Sequence, residues 1–244
     1  MKIADALCDL LWPPRCAGCE TILPFGTKEI FCPSCAEAWE KAIREICPKC
    51  GAEQRRCECP VGEIGQIHLF AYHPGRADPC GRMLLSLKKK KRKKVFAFLG
   101  KRLSERIGDR GNDAVFCYVP RDRKKKRLLG VDQALGLADA AAKTVGKRAF
   151  SPIVSRGGEE QKHLNAKERG EAAREKYRVD PEKLGLVRGK DVILFDDIIT
   201  TGSTVRICAE LLLRNGARSV TAAAAARTAG DSDPGRETPE RSSQ

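Results

Sequence analysis

Aromatic side chains are scarce in this 244-residue chain: phenylalanine, tyrosine and tryptophan together make up 5% of it. So few rings offer little material for stacking on unpaired bases, so affinity for nucleic acid would have to come mainly from charge. No window of about 18 apolar residues exists, which excludes a membrane-spanning helix. Histidine is just as rare. His68, His73 and His163 stand at no metal-ligand or triad spacing, and each reads as structural or as a surface residue. Residues 1–12 have helical apolar spacing interrupted by Asp5 and Asp9, without the hydrophobic region or small-residue cleavage site of a signal peptide. The expected location is cytoplasmic. The hydrophobic fraction of 41% is nevertheless enough for a real core, in one large domain or two smaller ones.

Cysteine is abundant, with twelve residues. In a reducing compartment these are free thiols or metal ligands and not disulfides. Eight fall into four pairs: Cys16-x-x-Cys19 and Cys32-x-x-Cys35 as one set, Cys47-x-x-Cys50 and Cys57-x-Cys59 as a second. Each CxxC turn aims two thiolates at one point, and two turns complete a tetrahedral sulfur site for structural Zn²⁺. Pro14, Pro33, Pro48 and Pro60 flank the turns, and Gly18 and Gly51 tolerate the backbone angles that such turns need. Thiolates alone do not choose the metal, so an iron–sulfur cluster is the chemical competitor. A four-sulfur site is closed and leaves no open position for chemistry. The segments between the pairs are too short to bury a core of their own, so the metal is expected to supply their folding energy.

The chain is organised around residues 192–204, Val-Ile-Leu-Phe-Asp-Asp-Ile-Ile-Thr-Thr-Gly-Ser-Thr. Four apolar residues read as a strand buried on both faces, expected to end at Asp196 and Asp197. A Thr/Gly/Ser turn follows, then the helical spacing Val205, Cys208, Leu211, Leu212. The free N–H groups of a first helical turn, with hydroxyls beside them, form a phosphate site. The paired acids repel phosphate and are suited to hydroxyls or a metal next to it. This arrangement resembles the 5-phosphoribosyl-1-pyrophosphate (PRPP) signature of type I phosphoribosyltransferases. The resemblance implies that Asp196 and Asp197 take the ribose hydroxyls, and that Thr200, Thr201, Gly202, Ser203 and Thr204 wrap the 5′-phosphate.

Elsewhere, strands alternate with helices. Strands are expected at 67–72, 114–119, near 150–154 and, weakly, at 219–226. Helices are expected ending at 83–87, through Phe96, Leu99, Leu103 and Ile107, and with the apolar face Leu135, Ala138, Ala142, Val145. Gly216 is a natural stop for the helix after the motif. Residues 156–178 read as a loop with a helical turn, and residues 228–244 as disordered. The pattern predicts an α/β domain with a parallel sheet flanked by helices, spanning 61–228 behind a Cys-rich module at 1–60, with a tail at 229–244.

Charge is placed unevenly. Residues 88–127 hold 17 Lys and Arg against 4 Asp and Glu, a net of +13 in a chain whose total is +14. Two basic runs, 88–94 and 121–127, flank the phosphate motif, and such a field concentrates polyanions without reading their sequence. Paired cysteine turns ahead of a phosphoribosyltransferase-like domain resemble the competence protein ComF family. The family's Arg-Gly-Phe-Asn-Gln element stands here as Leu129-Gly130-Val131-Asp132-Gln133, and its later Gln, Leu, Arg, Asn pattern as Gln161, Leu164, Arg169 and Glu171. The resemblance implies a role in DNA uptake or single-stranded DNA handling, with PRPP or a nucleotide phosphate as ligand and protein partners in a DNA-uptake machinery. It puts the pyrophosphate side at Pro120 and Arg121, with Arg123 and Lys88 adding charge and Mg²⁺ accompanying PRPP. A working phosphoribosyltransferase on an acceptor such as a nucleobase is the alternative, and a zinc-dependent interaction scaffold is a third reading. Thr200 stands where purine-salvage enzymes carry an acid, which argues against 6-oxopurine salvage. Cys8 is not placed as the nucleophile of a glutamine-hydrolysing amidotransferase.

Overall fold

A computed structural model describes residues 13–47, 64–75, 78–87, 92–122, 130–156 and 176–229. In chain order, its elements begin with helix α1 (Pro33–Arg44), strand β1 (Gly65–Tyr72), helices α2 (Pro79–Ser86) and α3 (Lys93–Ile107), and a single turn α4 (Arg110–Asp113). Strand β2 (Val115–Tyr118), helix α5 (Gln133–Thr144) and the short strands β3 (Ala149–Phe150), β4 (Ile153–Ser155) and β5 (Tyr177–Val179) follow. A 3-10 helix (Pro181–Leu186), strand β6 (Asp191–Ile199), helix α6 (Ser203–Arg214) and strand β7 (Ser219–Thr228) complete them. No described helix is long and apolar enough to cross a membrane.

The main sheet has the order β1-β7-β6-β2-β3 and its pairings are all parallel. A parallel sheet is covered on both faces, and β6 shows why the continuous apolar run was needed. Val192 and Leu194 join one buried cluster with Val205, Cys208 and Leu212 of α6; Ile193 and Phe195 point into the other, with Leu99, Leu103, Leu137 and Ala141 of α3 and α5. Helices α3 and α5 approach closely because glycine lets them. A Cβ added at Gly100 would lie 2.4 Å from the Ala140 Cβ, and one at Gly136 would lie 2.6 Å from the Phe96 ring.

Several expectations change. Strand β6 does not end at the acids: it runs to Ile199, pairing Ile198 with Ala226 and Ile199 with Arg227. Strand β7, expected only weakly, sits between β1 and β6, with Ala222 to Ala226 each 0% exposed. Alanine prefers helix, and tertiary pairing on both sides overrides that preference here. Residues 150–154 divide between the main sheet (β3) and a two-stranded antiparallel ribbon of β4 with β5. In α5 the buried face is Ala134, Leu137, Ala138, Ala141 and Ala142, with Leu135 and Val145 only half-buried. Helix α1 was not foreseen, because its Cys32 and Cys35 read as a metal turn.

The N-terminal cysteine segment does not lack a core; it uses the sheet's. Ala17, Leu23, Phe31 and Trp39 belong to the same buried cluster as Phe70, Leu99 and Phe195. Trp39 packs on Phe31, Phe70 and Phe98 with ring centroids 5.1–5.9 Å apart. Gly18 fits where it does because its Cα faces Pro79 of α2, and a Cβ there would come within 2.8 Å of the proline Cβ. Arg82 donates from Nε to the Gly18 carbonyl at 2.6 Å. His68 is buried in β1, its Nε2 3.2 Å from Gln66 Oε1; burial, then the charges of Arg227 and Arg106, push it down to about 3, so it is neutral. His73 follows the end of β1, and His163 lies outside the described residues.

Candidate functional site

The site lies at the C-terminal ends of the strands, where open α/β sheets bind their ligands. Asp196 and Asp197 sit in the C-terminal half of β6 and, by strand alternation, face opposite sides of the sheet. Each carboxylate accepts the next residue's backbone N–H at 2.8 Å, Asp196 from Asp197 and Asp197 from Ile198. Burial, then the charge of Asp197, pushes Asp196 well above the ordinary carboxylate range, with Arg121 opposing the rise. Asp197 faces Arg121, whose Nη2 lies 3.6 Å from Asp197 Oδ2 while its Nη1 donates to the Val131 carbonyl at 3.2 Å. At 3.6 Å the pair is charge attraction without a hydrogen bond.

Thr200 and Thr201 turn away from the sheet, and Gly202, at φ +73°, caps α6 in the left-handed region. Glycine is required there by the angle and not by crowding, since the nearest atom to an added Cβ is Ile199 Cγ2 at 3.8 Å. The Thr201 and Ser203 hydroxyls are 2.9 Å apart, and the Ser203 amide reaches Thr201 Oγ1 at 3.4 Å. The hydroxyls therefore gather around the start of a 12-residue helix whose first amides point out of the fold. Sequence reading missed Tyr177. This β5 residue is hydrogen-bonded to the Thr204 side chain, and burial, followed by the nearby Cys208 and Asp196, pushes its phenol up to about 12. Residues 156–178 read as a loop with a helical turn, so no strand was expected at Tyr177.

Of the residues expected to form the site, the structure brings together Asp196, Asp197, Arg121 and the 200–204 turn. Lys88 and Arg123 lie outside the described residues. The two retained residues of the five-residue element have local tasks: Gly130 takes φ +64°, and buried Gln133 donates from Nε2 to the Leu87 carbonyl at 3.1 Å. Asp132 caps α5, accepting the Leu135 amide at 3.2 Å.

A second centre lies in the N-terminal segment. The Cys16, Cys19, Cys32 and Cys35 sulfurs are all within 4.8 Å of one another, with Cys19 and Cys32 3.6 Å apart. A tetrahedron with metal–sulfur bonds of about 2.3 Å has sulfurs about 3.8 Å apart, so the four could hold a metal ion. The Gly18 and Cys32 amides donate to Cys16 Sγ at 3.4 and 3.3 Å, as expected for a thiolate held in a turn. The hydroxyl of Ser34 and the backbone at Cys35 hold Cys32 down to about 6, whereas burial beside the other three thiols raises Cys35. A dication relieves that crowding. Cys32 caps α1 and Cys35 follows one turn on, so the helix start aims both at one point. Of the second set, Cys47 is described and buried; Cys50, Cys57 and Cys59 lie outside the described residues.

A parallel sheet with a strand, acid pair, hydroxyl turn and helix at its crest defines a phosphoribosyltransferase-type α/β protein. The model of the phosphoribosyl transferase domain matches residues 122–243, half of the chain, and the chain belongs to that family. The ComF-type resemblance stands beside it: the chain is 27% identical to DNA utilization protein YhgH of Salmonella typhimurium over 207 residues, 78% of this chain and 87% of that one. Against YhgH of Escherichia coli K12 it is 26% identical over 225 residues, 85% and 94% of the two chains. A 39-residue stretch, 16% of this chain and 13% of the other, is 56% identical to ribose-phosphate pyrophosphokinase of Rhizobium meliloti. The solved glutamine PRPP amidotransferase from B. subtilis, in complex with ADP and GMP, aligns over 53% of this chain and 25% of its own, at 22% identity and a TM-score of 0.38.

Proposed function

We propose that this protein binds PRPP or a nucleotide phosphate at the β6–α6 turn and handles single-stranded DNA in uptake or utilization, as a cytoplasmic ComF-type protein. The observation that carries the ligand is the turn itself: the left-handed Gly202 and the Thr201 and Ser203 hydroxyls at the start of α6, one turn beyond an acid pair. The 5′-phosphate belongs with Thr200 to Thr204, and the ribose hydroxyls with Asp196 and Asp197. Arg121, which faces Asp197, is proposed to turn to the pyrophosphate. Arg123 and Lys88 are proposed to add charge there, and Mg²⁺ to arrive with the ligand. The domain division proposed is 1–60, 61–228 and a tail at 229–244. Cys16, Cys19, Cys32 and Cys35 would hold one structural Zn²⁺, and Cys47, Cys50, Cys57 and Cys59 a second. The YhgH likeness and the basic segment support the DNA part.

The test of the ligand is calorimetry with PRPP. Asp197→Asn removes a charged acceptor worth about 1.5–3 kcal/mol, so affinity should fall roughly 10- to 100-fold. Unchanged binding would make the acid pair a relic. A transferase acting on an acceptor such as a nucleobase is the second reading, favoured by the intact turn; PRPP-dependent pyrophosphate release in a nucleobase screen would establish it. A zinc-dependent scaffold for protein partners predicts neither release nor salt-sensitive DNA binding. For the DNA reading, log K should fall with log salt by about 0.7 per phosphate contacted on single strands. A slope near zero would remove it.

A further inference from the structure

The sequence pairs a strong basic run with few aromatic rings, and by itself that predicts a purely electrostatic DNA surface. The fold adds something to it. Phe25 is 58% exposed and Ile22 54% exposed, and among the large hydrophobics exposed in the described residues Phe25 is the only aromatic. Both lie between the first and second cysteine turns: Ile22 closes an antiparallel bridge to Arg15 around Cys16 and Cys19, and Phe25 follows in a turn where the Thr27 amide donates to the Pro24 carbonyl at 3.2 Å. The loop is fastened to the start of α3, where the described end of the basic run stands. Arg92 Nη2 lies 2.9 Å from Glu20 Oε1, and Lys94 Nζ reaches the Thr27 carbonyl at 3.5 Å. Glu20 makes this possible by taking φ +66°, a left-handed angle unusual for a residue with a side chain. Lys28, Lys93 and Arg15 are exposed around the loop; its acids are Glu20, engaged by Arg92, and the exposed Glu29.

An exposed ring and a branched aliphatic on a loop tied to α3, edged by lysines, match what single-stranded nucleic acid offers. It has a base face that any ring can stack on and a phosphate chain that tracks cations. Duplex DNA hides its base faces, and a protein partner of ordinary charge would not call for this lysine edge. We infer that the loop bearing Ile22 and Phe25 is the base-contacting element of the DNA surface, with Lys28, Lys93 and Lys94 on the backbone. This inference rests on the DNA reading above and goes beyond it. It says that binding has a stacking component carried by the segment between the two cysteine turns, and so gives that segment a part in recognition.

The experiment uses the full chain and two labelled 20-mers, oligo-dT and an abasic strand of equal length, read by fluorescence anisotropy. The unmodified protein should prefer oligo-dT. Phe25→Ala should lower oligo-dT affinity about 5- to 150-fold, the range of one lost base stack, and leave abasic affinity and the salt slope unchanged. Phe25→Tyr should restore the preference. Lys93→Ala with Lys94→Ala should instead flatten the slope by about 1.4 on both strands. Because Phe25 is exposed, metal content and melting temperature of Phe25→Ala should match the parent, which separates a lost contact from a lost fold. If the parent binds neither strand, the DNA reading itself fails. If it binds and Phe25→Ala matches it on oligo-dT, or loses both strands equally, the stacking role is overturned while the DNA reading stands. Loss of binding to anionic vesicles alone would also overturn it, and would give the loop to a membrane surface.

Discussion

Trp39→Ala asks whether the cysteine segment and the sheet are one cooperative unit. Trp39 is 2% exposed and touches three rings: Phe31 of its own segment, Phe70 of β1 and Phe98 of α3. Truncating a buried aromatic to alanine costs about 3–5 kcal/mol through lost transfer energy and the cavity left behind. No hydrogen bond is lost with it, since the indole Nε1 has no partner among the described residues. Against a total stability of about 5–15 kcal/mol, that is a large fraction. With a urea slope of about 2 kcal/mol per molar, the midpoint should fall by roughly 1.5–2.5 M. The assay is urea unfolding followed by two probes: far-ultraviolet circular dichroism for the sheet and helices, and thiol labelling for the cysteine turns. Both should shift together, because Phe31 and Phe70 share the residue that is removed. A midpoint that moves for the thiols and stays put for the dichroism would refute the shared-core argument.

The half-buried Asp196 gives a pH test. Asp196 titrates higher folded than unfolded, so the folded state binds the extra proton, and the acid's stabilising share is complete below about pH 4 and is lost as pH rises through its folded value. Asp196→Asn should therefore raise the melting temperature at neutral pH, by an amount that shrinks as pH falls toward 4; a constant difference across that range would count against a raised Asp196. Gly100→Ala should destabilise by about 1–3 kcal/mol or more, because its Cβ meets the Ala140 Cβ and backbone head-on, and a parent-like melt would show that α3 and α5 can part freely. Gly202→Ala should lose about 1–2 kcal/mol from its left-handed angle alone, with no clash to add, measured in the same melts. Metal analysis of purified protein should find zinc, two ions if both cysteine sets close and one if only the first does; iron would overturn the choice of metal.

Much of this was written in local patterns. The 192–204 motif carries its strand, turn and helix in contiguous residues, and the first cysteine set carries its geometry in spacing. What stayed hidden depends on distant partners. The run Ala222 to Ala226 gives no strand signal, since β1 and β6 and not its own side chains decide its conformation. Helix α1 was masked by reading Cys32 and Cys35 only as ligands, when Pro33 also opens a helix whose Trp39 reaches the sheet. The extension of β6 to Ile199 follows from pairing with Arg227, a residue 28 positions on. Phe25 was counted among too few aromatics, and only the fold shows that it stands at the surface beside the lysines.

The position of β7 also bears on how the chain assembles. Among the described residues strand β1 pairs only with β7, so residue 65 waits for residue 221 before it has that neighbour. As the chain leaves the ribosome, β1 is made early and stays unpaired until almost everything else has been synthesised. That partner cannot form in advance, because five consecutive buried alanines left alone would sooner coil into helix than extend. Closing so long a loop is slow, and it leaves an unpaired strand edge open to neighbouring chains. A chain truncated after Arg214 would retain the acid pair and the phosphate turn yet leave β1 permanently without its sheet partner, and such a fragment should aggregate where the full protein folds.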